Sequence, residues 1–290
     1  GVMMRNADKY AVAVRKTDGE IVVKTEEYKG IVQNKKIRSL PIIRGVFSFI
    51  DSMVLGMSTL TYSASFFMDE EEEEKDEKKE SVMMGLTIAC SVVMAVAIFM
   101  ILPYFLSQLF RKFTDSTTLI TLLEGAVRLV IFFGYILLIS RMKDIQRVFM
   151  YHGAEHKCIN CIEHGMELNV ENVLKSSRLH KRCGTSFLFI VMIVSIIFFL
   201  FIRIESPIWR VVFRLLLIPV IAGVSFEFIR LAGKSENKLV IFLSKPGMML
   251  QKLTTREPDA SMAEVAIASV EAVFDWRAYL KENFGWQEKV

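Results

Sequence analysis

Long apolar stretches alternate with shorter polar ones along the chain, and this alternation predicts its architecture. A helix needs roughly 20 apolar residues to cross a hydrocarbon core of about 30 Å. Four stretches meet or approach that length and together predict four transmembrane helices. They are residues 82–106, 119–139, 186–202 and 209–228.

A fifth apolar stretch, residues 40–67, is interrupted by polar side chains. Arg44 and Asp51 lie within it, among several Ser and Thr residues. Charged side chains are costly in a helix that faces lipid. The pattern therefore favours a helix over residues 39–68 that lies in the membrane interface or packs against other helices.

The N-terminal region, residues 1–38, has the pattern of a β-hairpin. Within residues 10–23, β-branched and small apolar residues flank the sequence Thr17-Asp18-Gly19. Asp-Gly between two such runs is a strong signal for a tight turn. We therefore predict a small β-hairpin here, packed against another part of the molecule.

Two further polar regions have distinct patterns. Residues 69–81 consist mainly of Glu, Asp and Lys, which predicts a solvated linker. In the C-terminal tail, residues 231–290, a helix-start signal at Pro258 precedes apolar positions at helical spacing in residues 261–274. We expect an amphipathic helix there, used for packing or for contact between subunits.

Composition and charge support a membrane protein. Hydrophobic residues make up 52% of the chain, and the mean hydropathy is +0.38. Lys and Arg are concentrated in residues 141–184 and 231–290, so these segments and both termini are expected in the cytoplasm. Residues 82–140 and 185–230 then hold two transmembrane helices each. The net charge of +4 does not suggest nucleic-acid binding. The predicted fold is mainly α, a polytopic helical membrane protein in a lipid bilayer.

Metal-binding side chains are concentrated in one segment. All four histidines and three of the four cysteines fall within residues 151–183. Imidazole and thiolate groups are the usual ligands of transition metals. A cytoplasmic location keeps thiols reduced, which favours metal binding over disulfides. Cys90 lies alone within a predicted span and is interpreted as a small packing residue.

The first metal pattern is His-x-x-Glu-His, formed by His152, Glu155 and His156. Residues four apart share one helix face, so both imidazoles can bind a single ion. The intervening glutamate then lies near a metal-bound water and can act as general base, as in zinc hydrolases with this inverted motif. This pattern predicts an open, catalytic metal site.

The second pattern competes with the first. Cys158-x-x-Cys161 is followed by His180-x-x-Cys183, a spacing typical of a closed structural zinc site with four ligands. Such a site keeps no position open for water. The patterns alone leave three possibilities, namely a catalytic metal, a structural zinc, or no tightly bound metal.

Ionisable residues inside the predicted spans are a second functional clue. Glu124 and Arg128 are four apart on one helix, and Glu227 and Arg230 are three apart on another. Each pair can form within its own helix, as structural pairing or as the lining of a polar cavity. Four spans offer few places that are shielded from lipid, so we predict a homo-oligomer.

Several motifs resemble the YqhQ-like family of bacterial membrane proteins, which are described as predicted metal-dependent enzymes. The strongest are Tyr-His-Gly-Ala-Glu-His-Lys at residues 151–157 and Leu-His-Lys-Arg-Cys-Gly-Thr-Ser-Phe at residues 179–187. Further matches lie at residues 1–5, 40–45, 124–129, 226–230 and 253–258. The resemblance implies a multi-pass protein of the bacterial cytoplasmic membrane. It also implies a glutamate, a histidine and a cysteine at Glu163, His180 and Cys183, whereas Cys158 and Cys161 are less typical of the family.

We therefore expect a divalent metal, zinc by preference, bound by His152 and His156. A subset of His180, Cys183 and Glu163 completes the ligand set, and Glu155 is the catalytic base. Arg182 lies close enough in sequence to recognise an anion. The favoured function is a hydrolase acting on a membrane-associated substrate at the cytoplasmic face. The alternatives are a transporter or channel with a metal at its cytoplasmic mouth, and a scaffold with structural zinc.

Overall fold

A computed structural model describes residues 1–67, 77–180, 183–202, 204, 206–234 and 237–287. The chain is mainly helical with one small three-stranded sheet in this described part, so the prediction of a mainly α fold is confirmed. The strands are β1 (Val2–Asn6), β2 (Lys9–Arg15) and β3 (Ile21–Glu27). The helices are α1 (Lys35–Ser39), α2 (Ile43–Ser65), α3 (Glu77–Val96), α4 (Leu102–Gln108), α5 (Thr117–Ile139), α6 (Lys143–Glu163), α7 (Val170–Lys175), α8 (Gly184–Phe201), α9 (Pro207–Lys234), α10 (Lys238–Thr254), α11 (Ala260–Glu271) and α12 (Trp276–Phe284).

The sheet is antiparallel with the order β1-β2-β3. Strands β2 and β3 form the predicted hairpin, and Gly19 in its turn has φ of 93°, a conformation that glycine adopts without strain. Strand β1 extends the hairpin and was not predicted, because its sequence Val-Met-Met-Arg-Asn has little β-branched character. Alternate side chains of β2 point to opposite faces. Tyr10, Val12 and Val14 pack with Leu55 of α2, while the opposite face packs on α11.

Five helices are long and apolar enough to cross a membrane, one more than the four predicted. They are Ile43–Ser65, Val82–Lys112, Thr117–Ile139, Gly184–Phe201 and Pro207–Gly233. The added one is α2, whose two charged residues both have partners. Arg44 pairs with Glu227 of α9, and Asp51 accepts hydrogen bonds from the Tyr28 hydroxyl and the Ile31 backbone N–H. Internal pairing of this kind removes the objection that those charges raise from sequence alone.

Helices α2 and α9 approach closely at two glycines. A Cβ atom on Gly45 would lie 2.8 Å from the backbone oxygen of Gly223, so only a residue without a side chain fits. The span 82–112 differs from the others, because none of its most apolar window is buried within the chain. It contains a π-helical segment, Ala97–Ile101, between α3 and α4. The expected acidic linker at residues 69–81 lies largely outside the described residues, and the chain is helical from Glu77 onward.

A second helical unit packs against the sheet. Its core joins α6, α7, α11 and α12, and α10 packs along α8 and leads into it. Residues 238–284 contain three helices, α10, α11 and α12, of which α11 corresponds to the predicted amphipathic helix. Helix α11 occupies most of the predicted amphipathic stretch. Its buried face consists of Met262, Ala263, Val265, Ala266, Ser269 and Val270.

Candidate metal centre

Helix α6 presents His152 and His156 on one face, as their spacing of four requires. The centroids of the two imidazole rings are 4.4 Å apart. Gly153 between them allows the chain after α10 to cross the helix closely. A Cβ atom at Gly153 would lie only 2.1 Å from the carbonyl oxygen of Arg256. The glycine of this motif is therefore required by packing rather than by chemistry.

Cys183 comes to the two histidines from a distant part of the chain. It is the N-cap residue of α8, and its Sγ lies 3.3 Å from His152 Nε2. One ligand atom from each of His152, His156 and Cys183 can be chosen so that all lie within 4.8 Å of one another. Zinc–ligand bonds of 2.0 to 2.3 Å in tetrahedral geometry separate ligand atoms by about 3.5 Å. The three side chains therefore fit a small shared ion with minor adjustment.

The environment of Cys183 favours the thiolate that metal binding requires. Burial opposes ionisation, but the nearby His156 ring and the side-chain and backbone groups of Thr185 outweigh it. Together they hold the pKa of Cys183 below its usual value. The Thr185 backbone N–H donates to Sγ over 3.4 Å, which also satisfies an amide at the start of α8.

Backbone carbonyl groups orient both imidazoles. His152 Nδ1 lies 3.0 Å from the backbone carbonyl oxygen of Thr254, and His156 Nδ1 lies 2.7 Å from that of Arg178. Because a carbonyl only accepts, Nδ1 is a protonated nitrogen in each ring, and Nε2 of the neutral ring has the lone pair that binds a metal. Metal-binding histidines in proteins are commonly fixed in this way. The two rings are thus held in the tautomer that binds a metal through Nε2.

Glu155 stands beside the three possible ligands. It is half-buried and lines a cavity of about 280 Å³ together with His152, His156 and Cys183. It also lines a neighbouring cavity of about 330 Å³ between α2, the sheet and α6. Burial raises the pKa of Glu155, and the charge of His152 partly opposes this. Glu155 therefore borders both the cavity at the ligand cluster and the neighbouring cavity.

His180 and Glu163 lie on the same cavity wall and contact each other. The distance from His180 Nε2 to Glu163 Oε2 is 3.1 Å, and the His180 ring centroid is 5.9 Å from that of His156. Gln251 holds the backbone of His180 through bonds of 2.9 and 2.7 Å to its N–H and carbonyl groups. The structure thus places both residues beside the three-ligand group, paired with each other.

Cys158 and Cys161 lie on another face of α6. At 3.6 residues per turn, Cys161 is about 180° around the helix from His152. Both cysteines are fully buried in the apolar core that includes α11. Burial raises the pKa of Cys158 above its usual range and that of Cys161 to about 11. The Cys161 thiol donates to the backbone carbonyl oxygen of Glu167 over 3.3 Å. The arrangement therefore does not assemble these cysteines with His180 and Cys183 as a closed zinc site requires.

Polar residues that the sequence patterns did not single out hold the site together. Lys157 Nζ donates to the carbonyl oxygens of Leu174 and Ser176 over 2.8 and 2.7 Å, and it pairs with Glu257. Asn160 donates to the carbonyl oxygens of Ser177 and Leu179 in the same loop. These bonds fix the loop that carries the Arg178 carbonyl. Because burial cannot be read from the sequence, no sequence pattern pointed to this role of Lys157 and Asn160.

The remaining predicted residues are placed as follows. His164 is the exposed C-cap residue of α6, and its Nδ1 lies 2.7 Å from the Asn160 carbonyl oxygen. Cys90 is exposed on α3. Arg182 lies outside the described residues. The structure therefore assigns neither His164 nor Cys90 to the cluster.

The predicted pairs of ionisable residues within the spans have additional partners. Arg128 Nη2 lies 2.8 Å from Glu124 Oε1, and Arg214 of α9 also binds that carboxylate. Glu227 is bound by both Nε and Nη2 of Arg44, while Arg230 is 3.9 Å away. Sequence reasoning missed Arg44 and Arg214 as partners, because both contacts join helices that are distant in the chain.

Fold and site together define a helical protein with five candidate membrane spans and a His/His/Cys cluster at the end of one of them. Comparison with known proteins identifies the family. A family model described as a protein of unknown function (DUF1385) matches residues 40–276. The Bacillus subtilis (strain 168) protein named "Uncharacterized protein YqhQ" is 35% identical over 294 residues, which cover 98% of this chain and 92% of the relative.

The chain therefore belongs to this family, and the resemblance seen in its motifs is confirmed. No solved structure matches it significantly.

Proposed function

We propose that this protein is an integral membrane hydrolase that depends on a divalent metal, with zinc as the expected ion. His152, His156 and Cys183 would hold the metal. The observation that carries the proposal is that the three ligand atoms converge at a cavity that Glu155 also lines. Catalytic zinc sites commonly use three protein ligands and keep a fourth position for water or substrate.

The roles of the side chains follow from their positions. Bound metal would supply Lewis-acid polarisation of the substrate. Glu155 would accept a proton from the attacking water and return it to the leaving group. The hydrogen bonds from His152 and His156 to backbone carbonyls keep the ligand geometry fixed during this exchange. His180 and Glu163, which line the same cavity, would position the polar part of the substrate.

The position of the cluster supports a membrane-associated substrate. Cys183 immediately precedes the candidate span Gly184–Phe201, so the ligand cluster lies where that helix would enter the bilayer. The adjoining cavity borders α2, another candidate span, at Gly56, Thr59 and Leu60. Because Lys and Arg are concentrated in residues 141–184 and 231–290, this end would face the cytoplasm in the bacterial inner membrane.

The test is a substitution that removes the base and keeps the metal. Glu155→Gln should retain stoichiometric metal by mass spectrometry and lose at least 100-fold in hydrolysis of a panel of p-nitrophenyl esters and phosphates. Glu167→Gln, at an exposed position on the following loop, is the matched control and should retain full activity. Equal activity of wild type and Glu155→Gln, with metal bound in both, would refute the catalytic role.

We also propose that the protein is a homo-oligomer. The span 82–112 has no buried residues in its most apolar window, so much of its apolar surface there is left open to lipid or to a second copy of the chain. Cross-linking of Cys90, exposed on this helix, tests the proposal in the native membrane. A disulfide-linked dimer that forms in wild type and is absent from Cys90→Ser supports it, and a monomer under all oxidising conditions contradicts it.

A further inference from the structure

A second polar cluster lies within the candidate spans, away from the metal centre. Its members are Glu124 and Arg128 of α5 and Arg214 of α9, all at most 5% exposed. Arg128 is 11 positions from the first residue of α5, or about 16 Å at 1.5 Å per residue. In a hydrocarbon core of about 30 Å this is close to the midplane.

The cluster has more positive charge and more hydrogen-bond donors than its acceptors match. Two guanidinium groups face one carboxylate, which leaves one formal positive charge. Arg128 donates to Glu124, to the Ser195 hydroxyl and to the Phe99 carbonyl, and Arg214 donates twice to Glu124. These bonds use about half of the ten N–H donors. The Nε of Arg214 is buried and has no partner within the described structure.

An apolar cavity adjoins this cluster. It has a volume of about 230 Å³, and its polar wall residues are Arg128 and Ser195. The other wall residues come from α2, the π-helical segment, α8 and α9, and include Phe49, Phe99, Phe187, Val191 and Ala222. The π-helical segment leaves the Phe99 carbonyl available to Arg128 Nε over 2.9 Å. Such segments occur frequently at functional sites.

We propose that this cavity binds a single-chain carboxylate, a fatty acid, from the bilayer. The carboxylate would pair with Arg128 and neutralise the excess positive charge, and the hydrocarbon chain would lie along the aromatic and aliphatic wall. The proposal rests on insertion of these helices into the membrane, which is part of the proposed function, but not on the metal centre or on catalysis.

Charge and size both favour this ligand. One carboxylate carries the single negative charge that the cluster lacks, and its planar geometry matches a guanidinium group. The cavity of about 230 Å³ is smaller than the 300 to 1,000 Å³ typical of sites for drug-sized ligands, so it takes the carboxylate end of one acyl chain rather than two chains. An unpaired charge near the midplane is costly, which gives the bound carboxylate a large electrostatic benefit.

The experiment uses the full chain in phosphatidylcholine vesicles at pH 9, with spin-labelled stearate and its uncharged methyl ester as probes. Electron paramagnetic resonance gives the motionally restricted fraction of each probe. We expect stearate to associate at least fivefold more strongly than the ester. Arg128→Gln should reduce this preference to less than twofold, whereas Arg210→Gln, whose guanidinium donates to the Ile204 carbonyl, should leave it unchanged.

A second variant addresses the chance that Arg128→Gln does not fold. Ala222→Phe fills the cavity and retains all three charged residues, and it should also remove the preference. Equal association of stearate and ester with wild type overturns the proposal, as does a preference that persists in both cavity variants. A preference for spin-labelled phosphatidic acid equal to that for stearate overturns the single-chain carboxylate.

Failure of membrane insertion is measured separately, as release of the protein by alkaline carbonate. Loss of metal or of hydrolysis leaves the stearate result unaffected, so the two proposals fail independently.

Discussion

Two faces of helix α6 carry side chains that can bind metals, but the surroundings of the two faces differ. One face holds His152 and His156, which line a cavity and have their Nδ1 atoms fixed by backbone carbonyls. The other holds Cys158 and Cys161, which are fully buried in an apolar core. Among the described residues, only the first face meets a third possible ligand, Cys183.

The difference shows that potential ligands become a site only with space, orientation and partners. A buried thiol with a raised pKa remains protonated and behaves as a small apolar residue. An oriented imidazole beside a thiol of lowered pKa is ready to bind a metal. Substitutions on the two faces should therefore differ in their effects on metal binding and on stability.

The largest effect is expected from the ligands themselves. The variant His152→Ala/His156→Ala should lose all tightly bound metal, measured by mass spectrometry on protein purified without a metal-affinity step. Cys158→Ala/Cys161→Ala is the matched double substitution on the other face and should retain it. Metal that stays in the histidine variant and leaves the cysteine variant would reverse the assignment of the two faces.

The second-largest effect is expected where the chain after α10 crosses helix α6 at Gly153. Gly153→Ala should destabilise the protein by about 3 kcal/mol, because the added methyl group collides with the Arg256 carbonyl. Thermal unfolding in detergent measures this. Gly134→Ala, where the added Cβ atom meets nothing within 4 Å, should be neutral or slightly stabilising. Equal stability of the two variants would contradict the close crossing.

A smaller effect should follow from loosening the loop that carries the Arg178 carbonyl. Lys157→Met removes the bonds to that loop and should weaken metal binding about tenfold, measured by competition with a chelator. Lys175→Met removes an exposed lysine that pairs with Glu171 and serves as the control. An unchanged affinity in Lys157→Met would show that the loop is held by other contacts.

The smallest effect is expected from the buried face. Cys158→Ala should lower the free energy of unfolding by about 1 kcal/mol through lost packing, and its metal affinity should equal that of wild type. Chelator competition and thermal unfolding on the same sample separate the two quantities. A drop in metal affinity without a change in stability would mean that Cys158 contributes to the metal site.

Much of the fold could be predicted because hydrophobic pattern reports local structure. Four of the five candidate spans follow from apolar length alone, and the hairpin follows from Asp18-Gly19 between two β-branched runs. Helix α2 was predicted to lie in the interface or to pack against other helices, because Arg44 and Asp51 look costly in a span. Their partners, Glu227 and Tyr28, become neighbours only when distant segments pack.

The candidate site was predictable in part for the same reason. A spacing of four places His152 and His156 on one helix face whatever surrounds them. The choice among Cys158, Cys161 and Cys183 was open, because all three have ligand spacing. Which of them meets the histidines depends on the approach of α8 to α6. Thr254 and Arg178 accept hydrogen bonds from the histidines through their backbone carbonyls, so their side chains gave no indication of this role.

The sequence by itself determined the apolar segments, the turn at Gly19, the shared face of the two histidines and the family. These depend on composition and on periodicity over a few residues, and on motifs of this chain. Only the tertiary structure decided that Cys183 joins the cluster, that Cys158 and Cys161 are buried, and that Arg214 shares Glu124 with Arg128. Burial and proximity between distant segments arise from packing, which no short stretch of sequence specifies.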